Sequence, residues 1–380
     1  MTVNVRLTSP THRVEAADQE LNVEATFESF YDKGWTDGLP IVPPTDERIA
    51  RMLEYTDRKP GDVLCEMATS YADATVEKVA INAVMAGCRP EYFPVVVAMT
   101  QALGEKEFNL HGIQGTTNPV TPFVLVNGPI SREIGMNSGA GCLGPGWRAN
   151  ATIGRTARLL LLNIGGGKPG TTDRATHGFP GKYNFCSAEN ELESPWEPFH
   201  VERGFPKESS TVTVDGASGT HNVITVPEGG GKEVKEGEEI LYFMGESAYG
   251  MGTNIWMMGF GEPMLVFPPE SAQILHRDGF DKPQIRKYMF DVTTRTYDTL
   301  APWVIERMAK RRQVDPKKTD RLTLVQRPED FLIVCMGGLL PAQGIYIPTF
   351  ATTKSVTKPV ALRDGTHARS VQDFRKAAGS

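Results

Sequence analysis

Six side chains able to do chemistry, His177, Lys182, Cys186, Glu189, Glu191 and His200, lie within 24 positions of one another. Cys186 and His177 could form a thiolate–imidazolium pair, because a neighbouring cation lowers a thiol's pKa. Glu189 or Glu191 could orient the histidine or act as general acid or base. Lys182 could stabilise negative charge that develops during a reaction. His177, Glu189 and His200 could instead hold a divalent metal, although no helical i,i+4 ligand pair and no zinc spacing supports that. The blander reading is that these groups tie a long loop together through hydrogen bonds and ion pairs. Gly178, Pro180, Gly181, Pro195, Pro198 and Gly204 punctuate the segment, and long loops in compact folds often carry function.

Just upstream, Ser138-Gly139-Ala140-Gly141-Cys142-Leu143-Gly144-Pro145-Gly146 contains the spelling GxGxxG. A dinucleotide site needs a strand directly before it and a helix within it. Here the nearest strand candidate ends near Val126, and Pro145-Gly146 follows the third glycine, so the spelling does not qualify. What remains is a glycine turn with free backbone N–H groups before a helix starting near Trp147. Ser138, Gly139, Gly141, Arg148 and Asn150 could form an anion site there, against the alternative of a turn that only glycine fits. Gly165-Gly166-Gly167-Lys168-Pro169-Gly170 has the wrong order for a phosphate loop. Trp35 and Asp37, in a proline-rich connector, and Trp196 could face a substrate. No cofactor is expected.

The elements that must position these groups read as α/β. Residues 23–35, 46–55, 74–87, 90–103 and 147–162 carry helical spacing, with Thr45 able to cap the second and Gly87 stopping the third. Residues 120–127, 210–214, 224–226 and 330–336 read as strands, with Asp215-Gly216 a hairpin turn signal. One helix is expected over 285–308, and the tail after Gly365 is expected to be loose. Mixed sheets with flanking helices follow. A strand-Pro-helix unit recurs: Pro129-Ile130-Ser131-Arg132-Glu133-Ile134 resembles Pro269-Glu270-Ser271-Ala272-Gln273-Ile274, and Gly115-Thr116-Thr117-Asn118 resembles Gly252-Thr253-Asn254. This predicts an internal duplication: an arm at 1–22, a first half at 23–210, a second half at 211–364 and a tail at 365–380.

The 380 residues are 40% apolar with a net charge of −6. No basic run marks a nucleic-acid surface, and no apolar run approaches the roughly 18 residues that span a membrane. The five cysteines are widely spaced and odd in number, which argues against a disulfide framework. The expectation is a cytoplasmic homo-oligomer.

Four stretches carry a resemblance: Gly34-Trp35-Thr36-Asp37-Gly38-Leu39-Pro40, Met85-Ala86-Gly87-Cys88-Arg89-Pro90-Glu91-Tyr92, Ser194-Pro195-Trp196-Glu197-Pro198, and the run from Gly144-Pro145-Gly146-Trp147-Arg148 to Arg155. They resemble a bacterial family of largely unassigned function found beside or fused to small UGSC-type (seleno)proteins. The resemblance implies sulfur or selenium redox chemistry. This chain has no Cys-Gly-Ser-Cys motif of its own, so a redox partner would be a separate protein. The leading expectation is an enzyme acting on a small anionic metabolite by thiol-assisted or acid/base chemistry, as a lyase, hydrolase or thiol-dependent reductase. The alternatives are a non-catalytic subunit or binding module serving a redox partner, and a metal-dependent hydratase using His177 and His200.

Overall fold

The computed structural model describes residues 22–228, 233–340 and 343–378, together with Pro10. The expected N-terminal arm, apart from Pro10 and Asn22, and the glycine loop at 229–232 lie outside them. The strands are β1 (Val63–Met67), β2 (Ala72–Thr75), β3 (Thr121–Asn127), β4 (Cys186–Ala188), β5 (Thr211–Ala217), β6 (His221–Ile224), β7 (Met264–Phe267), β8 (Arg295–Thr296), β9 (Arg321–Leu322), β10 (Leu332–Cys335), β11 (Gln343–Ile347) and β12 (Val356–Pro359). Two four-stranded mixed sheets form the centre, in the orders β12-β5-β3-β4 and β10-β7-β11-β6.

The alternation of side chains along each strand explains the layering. From β3, Val124 and Val126 join an apolar cluster with helices Val76–Ala86, Phe93–Leu103 and Arg148–Asn163. Phe123 and Leu125 point the other way, onto Met264, Val266, Leu332 and Val334 of the second sheet. From β7, Leu265 and Phe267 pack outward against helices Glu236–Ala248, Pro269–Arg277 and Lys282–Val292. The result is four layers: helices, sheet, sheet, helices. Strands buried on both faces must be apolar throughout, which is why 123–126 and 264–267 read as unbroken apolar runs.

The two sheets share one plan. In each, a parallel pair (β3 with β4, β7 with β10) continues through two antiparallel strands. The fourth strands are exchanged. β6 follows β5 in the chain but pairs with β11, and β12 follows β11 but pairs with β5. β5 and β11 meet where they cross, through the Ala217–Thr349 bridge and a hydrogen bond from Phe350 N to Gly216 O. The halves expected at 23–210 and 211–364 therefore do not coincide with the sheets, because β5 and β12 both belong to the first.

Local chemistry sets the helix ends. Thr45 accepts a hydrogen bond from Arg48 N and caps Asp46–Leu53, and Thr75 caps Val76–Ala86 in the same way. Gly87 ends that helix at φ +93, a left-handed conformation that costs a residue with a Cβ. Three expectations need correction. Asp215-Gly216 makes no hairpin. It lies inside β5, paired with Phe123 and Pro122, and a Cβ on Gly216 would stand 2.9 Å from the Thr353 methyl. The glycine serves close packing there. The helix expected over 285–308 is two helices, Lys282–Val292 and Pro302–Arg312, separated by β8, with Pro302 in the first turn of the second, where its missing N–H costs nothing. The described part of the tail is not loose: Val371 and Phe374 are buried in the first core, and Glu133 accepts hydrogen bonds from Ser370 Oγ and Val371 N. Among the described residues no helix is long and apolar enough to cross a membrane.

Candidate functional site

Cys186 sits in β4 and points into the helical layer beside Cys88 and Ile153. Burial pushes its thiol far up and keeps it protonated. His177 is exposed in the preceding loop, so the expected thiolate–imidazolium pair does not form. Strand alternation sends Cys186 into the core, and nine residues of loop carry His177 elsewhere. Lys182 donates to both Asp173 oxygens at 2.8 Å, and Arg158 reaches Asp173 from the helix behind. Burial lowers the Lys182 pKa, opposed by Asp173. This trio fastens the loop to helix Arg148–Asn163.

Glu189, Glu191 and His200 do come together, at the carboxyl ends of β3 and β4. Asn127 Nδ2 bridges the two carboxylates, reaching Glu189 Oε2 at 2.5 Å and Glu191 Oε1 at 3.0 Å. Phe199 N also donates to Glu189, and Gly128 N to Glu191. His200 Nδ1 stands 3.4 Å from Glu191 Oε1. Burial pushes the Glu189 carboxyl up. Burial would also raise Glu191, but hydrogen bonds from His200, Asn127 and Gly128 outweigh it and bring the group to about 2. The two carboxyls thus differ in affinity for protons. Asn127 and His200 have no exposed surface, while Glu191 reaches the edge of the cluster, where the exposed Arg132 pairs with it at 3.0 Å. His200 is buried and His177 exposed, so they do not form a ligand pair. Among the described residues no group of three or more His, Cys, Asp or Glu could hold a metal.

The glycine loop is held by Asn150, which accepts from Asn137 N and donates to the carbonyls of Asn137 and Cys142. Several loop N–H groups are used internally, including Gly139 N to Asn137 Oδ1. The loop meets the glycines after β10: Gly337 N donates to Ser138 O, and a Cβ on Gly338 would lie 3.1 Å from that of Ala140. Ser138, Gly139, Gly141 and Asn150 therefore form part of a joint between the sheets rather than the lip of an anion pocket. Trp196 is buried edge-on against Phe267.

Arg148 turns away from that loop. Its Nε and one terminal nitrogen donate to Gly87 O at 3.0 and 2.9 Å. There it lines a cavity of about 370 Å³ with Arg48, Arg51, Arg89 and Glu91, over a floor of Met52, Val84 and Cys88. Arg48 and Arg51 are three apart on helix Asp46–Leu53, which places them on one side. Arg48 donates to Pro43 O. The Arg51 and Arg89 side chains have no hydrogen bond or ion pair among the described residues, and Glu91 Oε2 is shielded from solvent without a partner. Four guanidinium groups face one carboxylate, in a protein of net charge −6.

Three of the four stretches behind the resemblance meet around this cavity. Arg155 forms a two-pronged ion pair with Asp37, both contacts 2.8 Å, and donates to Pro40 O. Val42 N donates to Met85 O, Asn163 donates to Trp35 O, and Cys88 Sγ lies 3.3 Å from Thr156 Oγ1. Trp35 and Asp37 thus act as anchors: they hold the connector whose Val42 lines the cavity. Arg48, Arg51, Arg89 and Glu91 were not singled out in the sequence. The i,i+3 arginine pair, and an arginine and a glutamate flanking Pro90, were the available signal. No family model matches the chain, and no curated protein or solved structure matches it.

Proposed function

We propose that the protein is an enzyme acting on a small anionic metabolite held in the arginine-lined cavity, with Glu91 as its general acid or base. The observation that carries this reading is the pair of unpartnered guanidinium groups, Arg51 and Arg89, facing a cavity that Arg48 and Arg148 also line. Arginine presents a rigid fork of donors matched to carboxylate and phosphate. Four such groups against one carboxylate favour a ligand with two or more negative charges. Glu91 is the one carboxylate lining the cavity, and a carboxylate there can exchange a proton with a bound substrate. This favours the acid/base branch, lyase or hydrolase, over thiol-assisted chemistry, because burial pushes the nearby Cys88 thiol up as it does Cys186. We read the shared sheet plan as the trace of an internal duplication.

Calorimetric titration with inorganic phosphate, pyrophosphate and citrate tests the binding half. Each of Arg51→Ala and Arg89→Ala should weaken the best of these by about tenfold or more, the worth of a charge-assisted hydrogen bond. Unchanged affinity in both variants would remove the cavity from consideration. Turnover is followed by mass spectrometry on a pool of anionic metabolites. Glu91→Gln should abolish it while leaving anion binding intact. Binding without any turnover, or turnover only when a second protein is added, would favour the non-catalytic subunit serving a redox partner.

A further inference from the structure

A second cavity, of about 530 Å³, opens on the seam between the two sheets. Its lining has a different chemistry from the arginine cavity: no Asp, Glu, Lys or Arg side chain contributes. Thr117 and Asn118 come from one copy of the recurring Gly-Thr-Asn spelling, and Asn254 comes from the other. Phe350 and Met258 add an aromatic and an aliphatic wall, and His177 stands at the side. Phe350 is placed by the strand crossing itself, through its N–H bond to Gly216 O. The Asn254 amide oxygen is already committed, to Ala351 N at 2.8 Å. The Asn118 amide oxygen is shielded from water and has no partner. The His177 ring makes no hydrogen bond among the described residues.

From this lining we infer that the seam cavity binds an uncharged, hydroxyl-rich ring: a sugar, either free or as the sugar of a glycoside or nucleoside. Neither a cation nor a carboxylate lines the cavity to fix an ion; Arg311 reaches only the Met258 sulfur on its wall. Amides, hydroxyls and an imidazole can both donate and accept, as sugar hydroxyls do, while the C–H faces of a sugar ring suit the walls formed by Phe350 and Met258. An apolar ligand would strand the polar half of the lining without partners.

Saturation-transfer NMR and calorimetry on the full chain test this with D-ribose, D-glucose, methyl β-D-glucoside and adenosine at millimolar concentration. His177→Ala and Thr117→Val are the variants; both positions are exposed, so neither threatens the fold. At least one probe is expected to bind, and to lose about tenfold in affinity in one of the variants. Binding of glucose or ribose identifies a free-sugar site; binding of adenosine or the glucoside alone identifies a site for a conjugated sugar. Transfer to none of the four probes overturns the inference, as does binding that both variants leave unchanged. Saturating inorganic phosphate should not displace the probe. Displacement would place the probe in the arginine cavity and overturn the assignment to the seam.

Discussion

Asp215, at the strand crossing, offers a test of the fold that needs no ligand. The residue is fully buried, and its carboxyl is pushed up to about 7 by burial and by Glu262, against smaller opposing contributions from Gly216 N–H, Arg203 and Thr349. Oδ1 accepts from Gly216 N at 2.9 Å and Oδ2 has no partner. An unfolded aspartate titrates near 3.9. The folded state therefore holds the proton more tightly than the unfolded state. Its stabilising contribution is complete below about pH 4 and is lost as pH rises through 7. A gap of about 3 pH units is worth about 4 kcal/mol. Asp215→Asn keeps the shape and never ionises, so it should recover that loss at alkaline pH. Its amide also adds a donor without an acceptor, but that cost is the same at every pH. The clean quantity is thus the change with pH in the stability difference between variant and parent. From the same two pKa values it should grow in favour of asparagine by about 2 kcal/mol between pH 5.5 and pH 8.5. Urea unfolding at the two pH values measures it. A difference that stays flat, or moves against asparagine, would refute the buried-acid reading of Asp215.

Other substitutions probe the scaffold around the arginine cavity. Asp37→Ala leaves the Arg155 guanidinium, 15% exposed, without its carboxylate; a loss of about 3–5 kcal/mol is expected by chemical denaturation, and parent-like stability would count against the anchor. Gly154→Ala drives a Cβ into the Asn184 side chain and to 2.9 Å from Cys186 Cβ, so it should cost about 1–3 kcal/mol and lower the melting temperature. Iodoacetamide at neutral pH should leave Cys186 unmodified in the native protein and label it in denaturant, as read by mass spectrometry; native labelling would show that the thiol is not sealed. Arg51→Ala should leave stability within about 0.5 kcal/mol of the parent, which separates its effect on anion binding from any effect on folding.

Much of the architecture was legible because it rests on short-range rules. Thr45 and Gly87 mark helix ends whatever the tertiary context, and the 123–126 run read as a buried strand, which it is, covered on both faces. Asp215-Gly216 misled for a physical reason: glycine satisfies a left-handed turn and a crowded strand crossing equally well, and only the position of Thr353 distinguishes them. The site was harder. The clustering of His177, Lys182, Cys186 and Glu189 along the chain suggested one reaction centre, but one strand step separates a side chain facing the helices from one facing the loop. Glu189, Glu191 and His200 did converge, though into a hydrogen-bonded joint that Asn127 and Arg132 complete. The arginine cavity draws on three segments about 40 to 100 residues apart, and no local pattern reports such a meeting.

The exchange of β6 and β12 bears on how the chain is made. As the protein emerges from a ribosome, β5 appears with its β3 flank ready but its other flank bare, and that flank stays bare until residues 356–359 follow. β6 waits in turn for β11, over a hundred residues later. Neither sheet can be finished before nearly all of the described chain is available, so completion of the two sheets is a single late event. Until then two open strand edges need protection from neighbouring chains, and a nascent chain stalled before Pro359 is a natural client for a chaperone.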